Sequence, residues 1–297
     1  MNSERIQAFS RALIFLGLVL VSTVMASGIA SILGSLVFGE SVDIGLGGEL
    51  PTSVSAWWQL HFQNLISQAV GFGGAVWMAR MIWNRAVPVG LVVTPGSVAP
   101  LSLLLVFLFT LASGPIVGAS YELNVALIPE GGAFESMFKP MEDMLEALTS
   151  FMVTAGGARS VVVILSVAAL PAIFEELAFR GVLQPLLIKA TGKAWVGIAI
   201  ASVLFSAIHF QFYGFLPRVL LGLLFGWLAY RSGSILPGIV AHFFNNAAAA
   251  ITLWFTGSMT EDLFAIDTWS VLLSAVLTAG LVLAYDRALK RRENLHF

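Results

Sequence analysis

The chain has 297 residues, of which 58% are hydrophobic and only 11% charged; its net charge is −2 and it has no cysteine. Because soluble globular proteins carry roughly 25% charged residues, this composition excludes an ordinary soluble protein and predicts an all-α integral membrane protein. The small net charge gives no reason to expect a nucleic-acid partner. Without cysteine, neither disulfides nor thiolate metal sites are available.

Eight apolar stretches are long enough to cross a bilayer, whose hydrocarbon core needs a helix of about 20 residues. The first follows Arg5 and Arg11 as a signal peptide would, but it runs well past the roughly 7–15 apolar residues of a signal sequence. We therefore expect a retained helix and about eight transmembrane helices in total. In chain order, the predicted spans are about 9–38, 57–83, 98–119, 159–188, 194–212, 215–230, 234–256 and 268–288.

The stretch 133–152, between the third and fourth spans, has a different pattern. Apolar residues recur there every three or four positions, and acidic residues occupy the positions between them. This spacing predicts an additional amphipathic helix with an acidic polar face, whose first turn would begin at Pro140. Two roles are open for it: a short helix packed on its neighbours, or a gate over the mouth of a site.

Basic residues fall mainly on one side of the predicted membrane, which the positive-inside rule identifies as the cytoplasm. With eight spans, both termini lie on that side; Lys139, Arg159 and Arg218 are the exceptions. We expect Arg218 to extend its charge to the interface, with attraction of a substrate carboxylate as the alternative. The cytoplasmic basic residues are Arg5, Arg11, Arg80, Arg85, Lys189, Lys193, Arg231, Arg287, Lys290, Arg291 and Arg292.

The stretch IFEELAFRG (173–181) places three charged residues inside the fourth span. An ionisable residue near mid-membrane is costly, and by default it indicates a functional site. Glu176 and Arg180 are four residues apart, so they share a helix face and can pair. Glu175 is rotated by about 100° from Glu176 and has no such partner. Pro171, four residues before Glu175, should kink this helix or free backbone carbonyls within the bundle.

Two later spans carry further polar groups. In FSAIH, Phe205 and His209 are four residues apart and share a face; in HFFNN, His242 and Asn246 do the same, whereas Asn245 points elsewhere. At about 1.5 Å of rise per residue, these groups lie at depths similar to that of the fourth-span carboxylates. The sequence therefore allows them to meet at one level of the bundle.

The segments EELAFR, FSAIH and HFFNN resemble, in the same order, the EExxxR, FxxxH and HxxxN motifs of the CPBP family of intramembrane proteases. This group contains the type II CAAX-prenyl endopeptidases and bacterial Abi-like proteins. The resemblance covers about residues 159–256. On this basis the single membrane domain consists of three N-terminal spans (1–122), an outer loop with the amphipathic helix (123–158), the catalytic core (159–256), and a last span with a basic tail (257–297).

The resemblance implies hydrolysis of a peptide bond in a membrane-associated or lipidated peptide. It assigns Glu175 as the base that activates water with the help of His209, and His242 with Asn246 as the oxyanion hole. The residue types suit these roles, because desolvation makes a carboxylate more basic, and an imidazole and an amide can donate hydrogen bonds to a tetrahedral oxyanion.

The other motif residues are expected to support the site. Glu176 and Arg180 would hold their helix as an ion pair, and Phe205 would pack beside the catalytic groups. The remaining histidines, His61 near the start of the second span and His296 in the tail, belong to no motif. We expect both to be non-catalytic.

We expect no cofactor. Glu175, His209 and His242 would nevertheless make a zinc ligand set with an open position for water, so zinc is the alternative, although the chain has no HExxH motif. The expected setting is a bacterial inner membrane, with the bilayer and a membrane-associated peptide or protein as partners. Two other functions are open: a non-proteolytic scaffold or regulator with the same fold, and a proton-coupled transporter, for which no internal repeat is evident.

Overall fold

The computed structural model describes residues 3–40, 42, 50–83, 99–154, 157–257 and 267–293, and side chains as far as residue 290. Its regular elements are helices, and no strand occurs among these residues, so the all-α prediction is confirmed. The helices are α1 (Ser3–Phe38), α2 (Val54–Ile82), α3 (Pro100–Ala112), α4 (Gly114–Ala126), α5 (Ala133–Val153), α6 (Arg159–Thr191), α7 (Ala194–Ala207), α8 (Phe215–Ser232), α9 (Leu236–Thr256) and α10 (Thr268–Glu293).

Each of the eight predicted spans contains a helix among the described residues, but the count of eight transmembrane helices is not confirmed. Five helices of the described chain are long and apolar enough to cross a bilayer: α1, α2, α6, α9 and α10. The pair α3 and α4 makes a sixth if its 42° bend belongs to one span. The fifth predicted span, 194–212, is the 14-residue helix α7, whose rise of about 21 Å is shorter than the hydrocarbon core.

The amphipathic segment forms the helix α5, but it begins at Ala133, and Pro140 lies inside it. The prediction that Pro140 marks the first turn is therefore wrong. The reason is tertiary packing ahead of the proline. The rings of Phe134 and Phe138 lie 5.9 and 4.2 Å from the ring of Phe212, which holds the first turns of α5 against the segment between α7 and α8.

Helix α1 shows how the bundle faces the bilayer. Its buried residues recur every three or four positions and are mostly small, as in helix contacts within membranes. Large apolar side chains on its other faces are exposed, with Val24 at 73% and Leu36 at 77%. Such a surface is stable in contact with lipid tails and not with water. The buried face consists of Ala8, Ala12, Phe15, Val19, Ser22, Ala26, Ala30 and Gly34.

Helix α6 lies at the centre of the bundle and runs parallel to α8. Arg180 Nη2 donates to Gly222 O, and Gln184 Nε2 donates one turn later to Gly226 O, both at 3.0 Å. The close approach favours glycine on α8, because a Cβ added at Gly226 would lie 2.5 Å from Gln184 Oε1 and 2.8 Å from Ile198 Cγ2. One core cluster joins α6 to α1, α2 and α7, and another joins α8 to α3, α9 and α10.

Candidate active site

Glu175 lies in the middle of α6, 16 residues from either end, and the helix is widened on both sides of it. π-helical turns occupy Ile164–Ala169 and Phe179–Leu183, and such turns occur often at functional sites. Pro171 has no N–H to donate to the turn before it. The carbonyls it leaves free are bonded by other helices: Asn64 Nδ2 donates to Ser166 O at 2.6 Å, and Asn246 Nδ2 to Val167 O at 3.3 Å. The carbonyls freed by Pro171 thus connect α6 to α2 and α9 through hydrogen bonds.

The two oxygens of Glu175 have different surroundings. The side chain is buried, with 5% of the residue exposed. Oε1 accepts a hydrogen bond of 2.9 Å from Gln68 Nε2 on α2. Oε2 has no hydrogen-bond partner, and it faces the Nε2 atoms of His209 and His242 at 3.8 and 3.9 Å. The geometry therefore leaves one carboxylate oxygen free between two imidazoles.

His209 lies beyond the end of its helix, because α7 ends at Ala207 and the chain turns at the next residues. Its Nδ1 donates to Phe205 O at 2.7 Å. A carbonyl can only accept, so Nδ1 carries the hydrogen, and Nε2 of the neutral ring is an acceptor facing Glu175. Phe210 follows with a φ of 54°, a backbone conformation that bulky residues seldom adopt. The motif face predicted for Phe205 and His209 is retained, since their rings lie 5.0 Å apart.

Glu176 is fully buried and contacts two partners, one arginine and one histidine, through one oxygen. Its Oε1 lies 2.8 Å from Arg180 Nη1 and 3.1 Å from His242 Nδ1. The pairing with Arg180 agrees with the spacing argument, whereas the contact with His242 was not foreseen. Phe205 and Phe225 enclose this group: Arg180 lies over both rings, at 4.6 and 5.5 Å from their centres. Glu176 therefore fixes the ring of His242 as well as its own helix.

Asn246 lies in the wall of the same cavity as Glu175 and His242. One of its two amide hydrogens is directed at Val167 O, which leaves the second available to the cavity. Asn245 does not point elsewhere, as its helical position suggested. It lines the cavity too, and its Nδ2 lies 3.4 Å from Asn246 Oδ1, because the wide cavity beside α9 accepts two neighbouring side chains of the helix.

These groups line a cavity of about 430 Å³ between the helices. Its wall is largely apolar with a few polar groups on one side, which is typical of a small-molecule or peptide site. The amphipathic helix α5 closes part of it with Thr149, Met152 and Val153. Helix α5 is thus packed on its neighbours and is also a wall of the cavity. The motif residues in the lining are Glu175, Phe205, His209, His242 and Asn246.

His61, one of the two histidines outside the motifs, is not part of the site. His61 is buried, with its ring nitrogens 2.5 Å from Ser166 Oγ and 3.1 Å from Met152 O. It connects α2 to α6 and to the end of α5, and it does not line the cavity. His296 lies outside the described residues.

Sequence reasoning missed two residues that contact the site from α2. Gln68 bonds Glu175, and Asn64 bonds the widened turn of α6. A signal for them was present, because α2 carries several amides within an apolar stretch. Polar groups inside a span usually face the bundle and bond another helix.

No group of three or more His, Asp or Glu side chains in the described ranges has the arrangement of a metal site. Glu175, His209 and His242 approach one another, but the ligand atoms of the two histidines stand 3.8 and 3.9 Å from the carboxylate oxygen. The same three side chains can act on a water molecule directly.

Residues 157–248 match the family model of Rce1-like type II CAAX prenyl endopeptidases. No curated protein and no solved structure matches the chain. The matched segment contains all three motifs and most of the cavity wall. It runs from the start of α6 into α9 and leaves out α2, the source of Gln68. With its apolar helices, the chain is an integral membrane protein, and its residues 157–248 are similar to the type II CAAX prenyl endopeptidases, which supports the resemblance to the CPBP family.

Proposed function

We propose that this chain is an intramembrane endopeptidase that hydrolyses a peptide bond of a membrane-associated or lipidated peptide. The observation that carries the proposal is the unpartnered Oε2 of Glu175, buried in a cavity and facing two imidazole Nε2 atoms. A buried carboxylate oxygen that accepts no hydrogen bond is costly. A role as the base that takes a proton from water during the reaction explains why such a costly group is present.

In the first step, a water molecule donates its hydrogens to Glu175 Oε2 and His209 Nε2. Both atoms are acceptors, so the water oxygen keeps a lone pair directed into the cavity. Its attack on the substrate carbonyl carbon forms the C–O bond while a proton passes to Glu175. Collapse of the tetrahedral intermediate breaks the C–N bond, and the proton held by Glu175 and His209 passes to the leaving amine.

His242 and Asn246 would stabilise the oxyanion of the intermediate. Glu176 Oε1, which lies 2.8 Å from Arg180 Nη1, accepts the Nδ1 hydrogen of His242. Nε2 then carries a hydrogen only when the ring is an imidazolium. We propose that form, held between the carboxylates of Glu175 and Glu176 at 3.9 and 3.1 Å. Asn246 supplies its second amide hydrogen.

We propose that this chemistry needs no metal, since each proton transfer has a donor and an acceptor among the residues named. The alternative is a zinc ion bound by the same three side chains. Metal analysis of the purified protein distinguishes the two: a stoichiometric metal that survives chelation, and without which cleavage stops, would overturn the metal-free mechanism.

We propose that both termini lie in the cytoplasm, in a bacterial inner membrane. In support, basic residues from distant parts of the chain meet at one end of the bundle. Lys189 lies 3.4 Å from Glu4, and Arg11 lies over the ring of Trp83, at 5.6 Å from its centre. At the ends of α8 and α10, Arg231 pairs with Asp286. Positive charge gathered at one end is the signature of the cytoplasmic side.

Alanine substitution of the two cavity histidines should reduce cleavage strongly. We expect a loss of about 10²–10⁴-fold for His209→Ala, as for a general acid–base group, and of about 10²–10³-fold for His242→Ala, as for an oxyanion donor. Cleavage of membrane peptides is measured by mass spectrometry and divided by the amount of folded protein. The matched control is His61→Ala, which should lower thermal stability while the rate per folded molecule is retained. Equal losses for all three variants would contradict the assignment.

Gln68→Leu should lower kcat/KM about tenfold, the loss expected for one hydrogen bond to a charged group. The control is Gln59→Leu on the same helix, a fully buried amide without a hydrogen-bond partner in the described chain. An equal loss of kcat/KM in Gln59→Leu would mean that Gln68 only supports packing.

A further inference from the structure

Arg218 is the one Lys or Arg side chain among the described residues that line the catalytic cavity. It sits in the first turn of α8, and its guanidinium lies back over Gly214, where an added Cβ would come within 2.9 Å of Nη1. The sequence suggested a side chain extended to the interface. Instead, the structure turns Arg218 inward, into the wall that also holds Glu175 and His209.

Arg218 has neutral hydrogen-bond partners and no ion-pair partner among the described residues. Its two terminal nitrogens donate to the backbone and side-chain oxygens of Gln211, which are both neutral. Its Nε is buried and has no hydrogen-bond partner. No carboxylate of the described residues forms an ion pair with it; Glu142 and Glu175 act on it only at longer range. A guanidinium in this state can still form a charge-assisted hydrogen bond.

Glu142, on α5, is the acid most able to compete for Arg218 from inside the protein. Its Oε2 is 3.5 Å from the backbone N–H of Tyr213. Burial raises the pKa of this carboxyl above its usual range, although the N–H of Tyr213 and the charge of Arg218 act against that shift. Since the oxygen of Glu142 is directed at the N–H of Tyr213 and forms no ion pair with the guanidinium, Arg218 stays available to an incoming anion.

We propose that Arg218 is a substrate-binding residue that recognises a carboxylate, namely the free α-carboxylate at the C-terminal end of the peptide cleaved at Glu175. The inference rests on the proposed function and adds a substrate requirement to it. A C-terminal carboxylate brought to the cavity wall carries a charge that Glu175 would repel, and Arg218 compensates for that repulsion. The same chemistry fits an acidic side chain, so the test must separate the two sources.

Three lipid-anchored peptides of one sequence provide the test: one ends in a free carboxylate, one in a carboxamide, and one in a carboxamide after a glutamate. Affinities are measured by fluorescence anisotropy on protein carrying Glu175→Gln, so that binding is read without turnover. We expect the free acid to bind about tenfold more tightly than the carboxamide. Adding Arg218→Gln should bring that ratio close to one.

Arg80→Gln, at an exposed arginine near the end of α2, is the matched control and should leave the ratio unchanged. An equal loss of affinity for all three peptides in Arg218→Gln would overturn the proposal, because it would mean that Arg218 only holds the segment around Gln211. Tight binding of the glutamate peptide alone would also overturn the proposal, because it would mean that Arg218 recognises an acidic side chain and not the terminal carboxylate. Affinity is measured without cleavage, so failure of this proposal can be distinguished from failure of the proposed protease function.

Discussion

Glu175→Gln should abolish peptide cleavage, with a loss of about 10³-fold or more, while the protein stays folded in detergent. An amide cannot accept the proton that the attacking water gives up. The fold should survive because the amide oxygen of the new side chain can still accept the bond from Gln68 Nε2, and because the substitution removes a buried charge. Cleavage is measured by mass spectrometry of membrane peptides, with size-exclusion profiles to check folding.

The matched control is Glu122→Gln, the same change at an exposed carboxylate of α4, which should cleave at the wild-type rate. Retention of cleavage by the Glu175 variant would falsify its assignment as the base. An unchanged cellular phenotype, together with no cleavage by either protein, would favour a scaffold or regulator. Substrate flux into liposomes that depends on Glu175 would favour a transporter.

Arg180→Met should destabilise the protein by about 3–5 kcal/mol, as expected when one partner of a buried ion pair is removed. Arg180 and Glu176 are 3% and 0% exposed, so the carboxylate would retain only its hydrogen bond with His242. The free energy of unfolding, or the thermal midpoint in detergent, measures the effect. The double variant Glu176→Gln with Arg180→Met should recover part of the loss, because no uncompensated charge then remains.

Arg231→Met provides the comparison. Its pair with Asp286 is partly exposed, and such pairs contribute about 0–1 kcal/mol. If Arg180→Met were no less stable than Arg231→Met, or if the double variant were no more stable than Arg180→Met alone, the buried pair would not hold the centre of α6. A double variant that folds but does not cleave would show that Glu176 is also needed to position His242.

Relations within one helix were predictable from the sequence, because they depend only on the 3.6-residue repeat. The pairing of Glu176 with Arg180 and the shared face of Phe205 with His209 follow from a spacing of four, and the structure shows both. Helix positions followed from apolar length. Helix ends did not, since α5 begins seven residues before Pro140 and α7 stops before His209.

Relations between helices depend on how each helix is rotated and shifted against its neighbours, and no local pattern records that. From the sequence, the amides of α2 were only polar residues within a span. The structure places one of them, Gln68, 2.9 Å from Glu175. Likewise, the spacing of HFFNN could not show that His242 binds Glu176, or that Asn245 shares the cavity with Asn246.

The sequence by itself determined an apolar all-helical chain, three ordered motifs, and one carboxylate left without a partner on its own helix. Tertiary structure alone decided what surrounds that carboxylate: a donor from α2 on one oxygen, two imidazoles facing the other, and an arginine turned inward from α8. The physical reason is that a helix satisfies its backbone within itself, whereas buried charged side chains must find their partners on other helices.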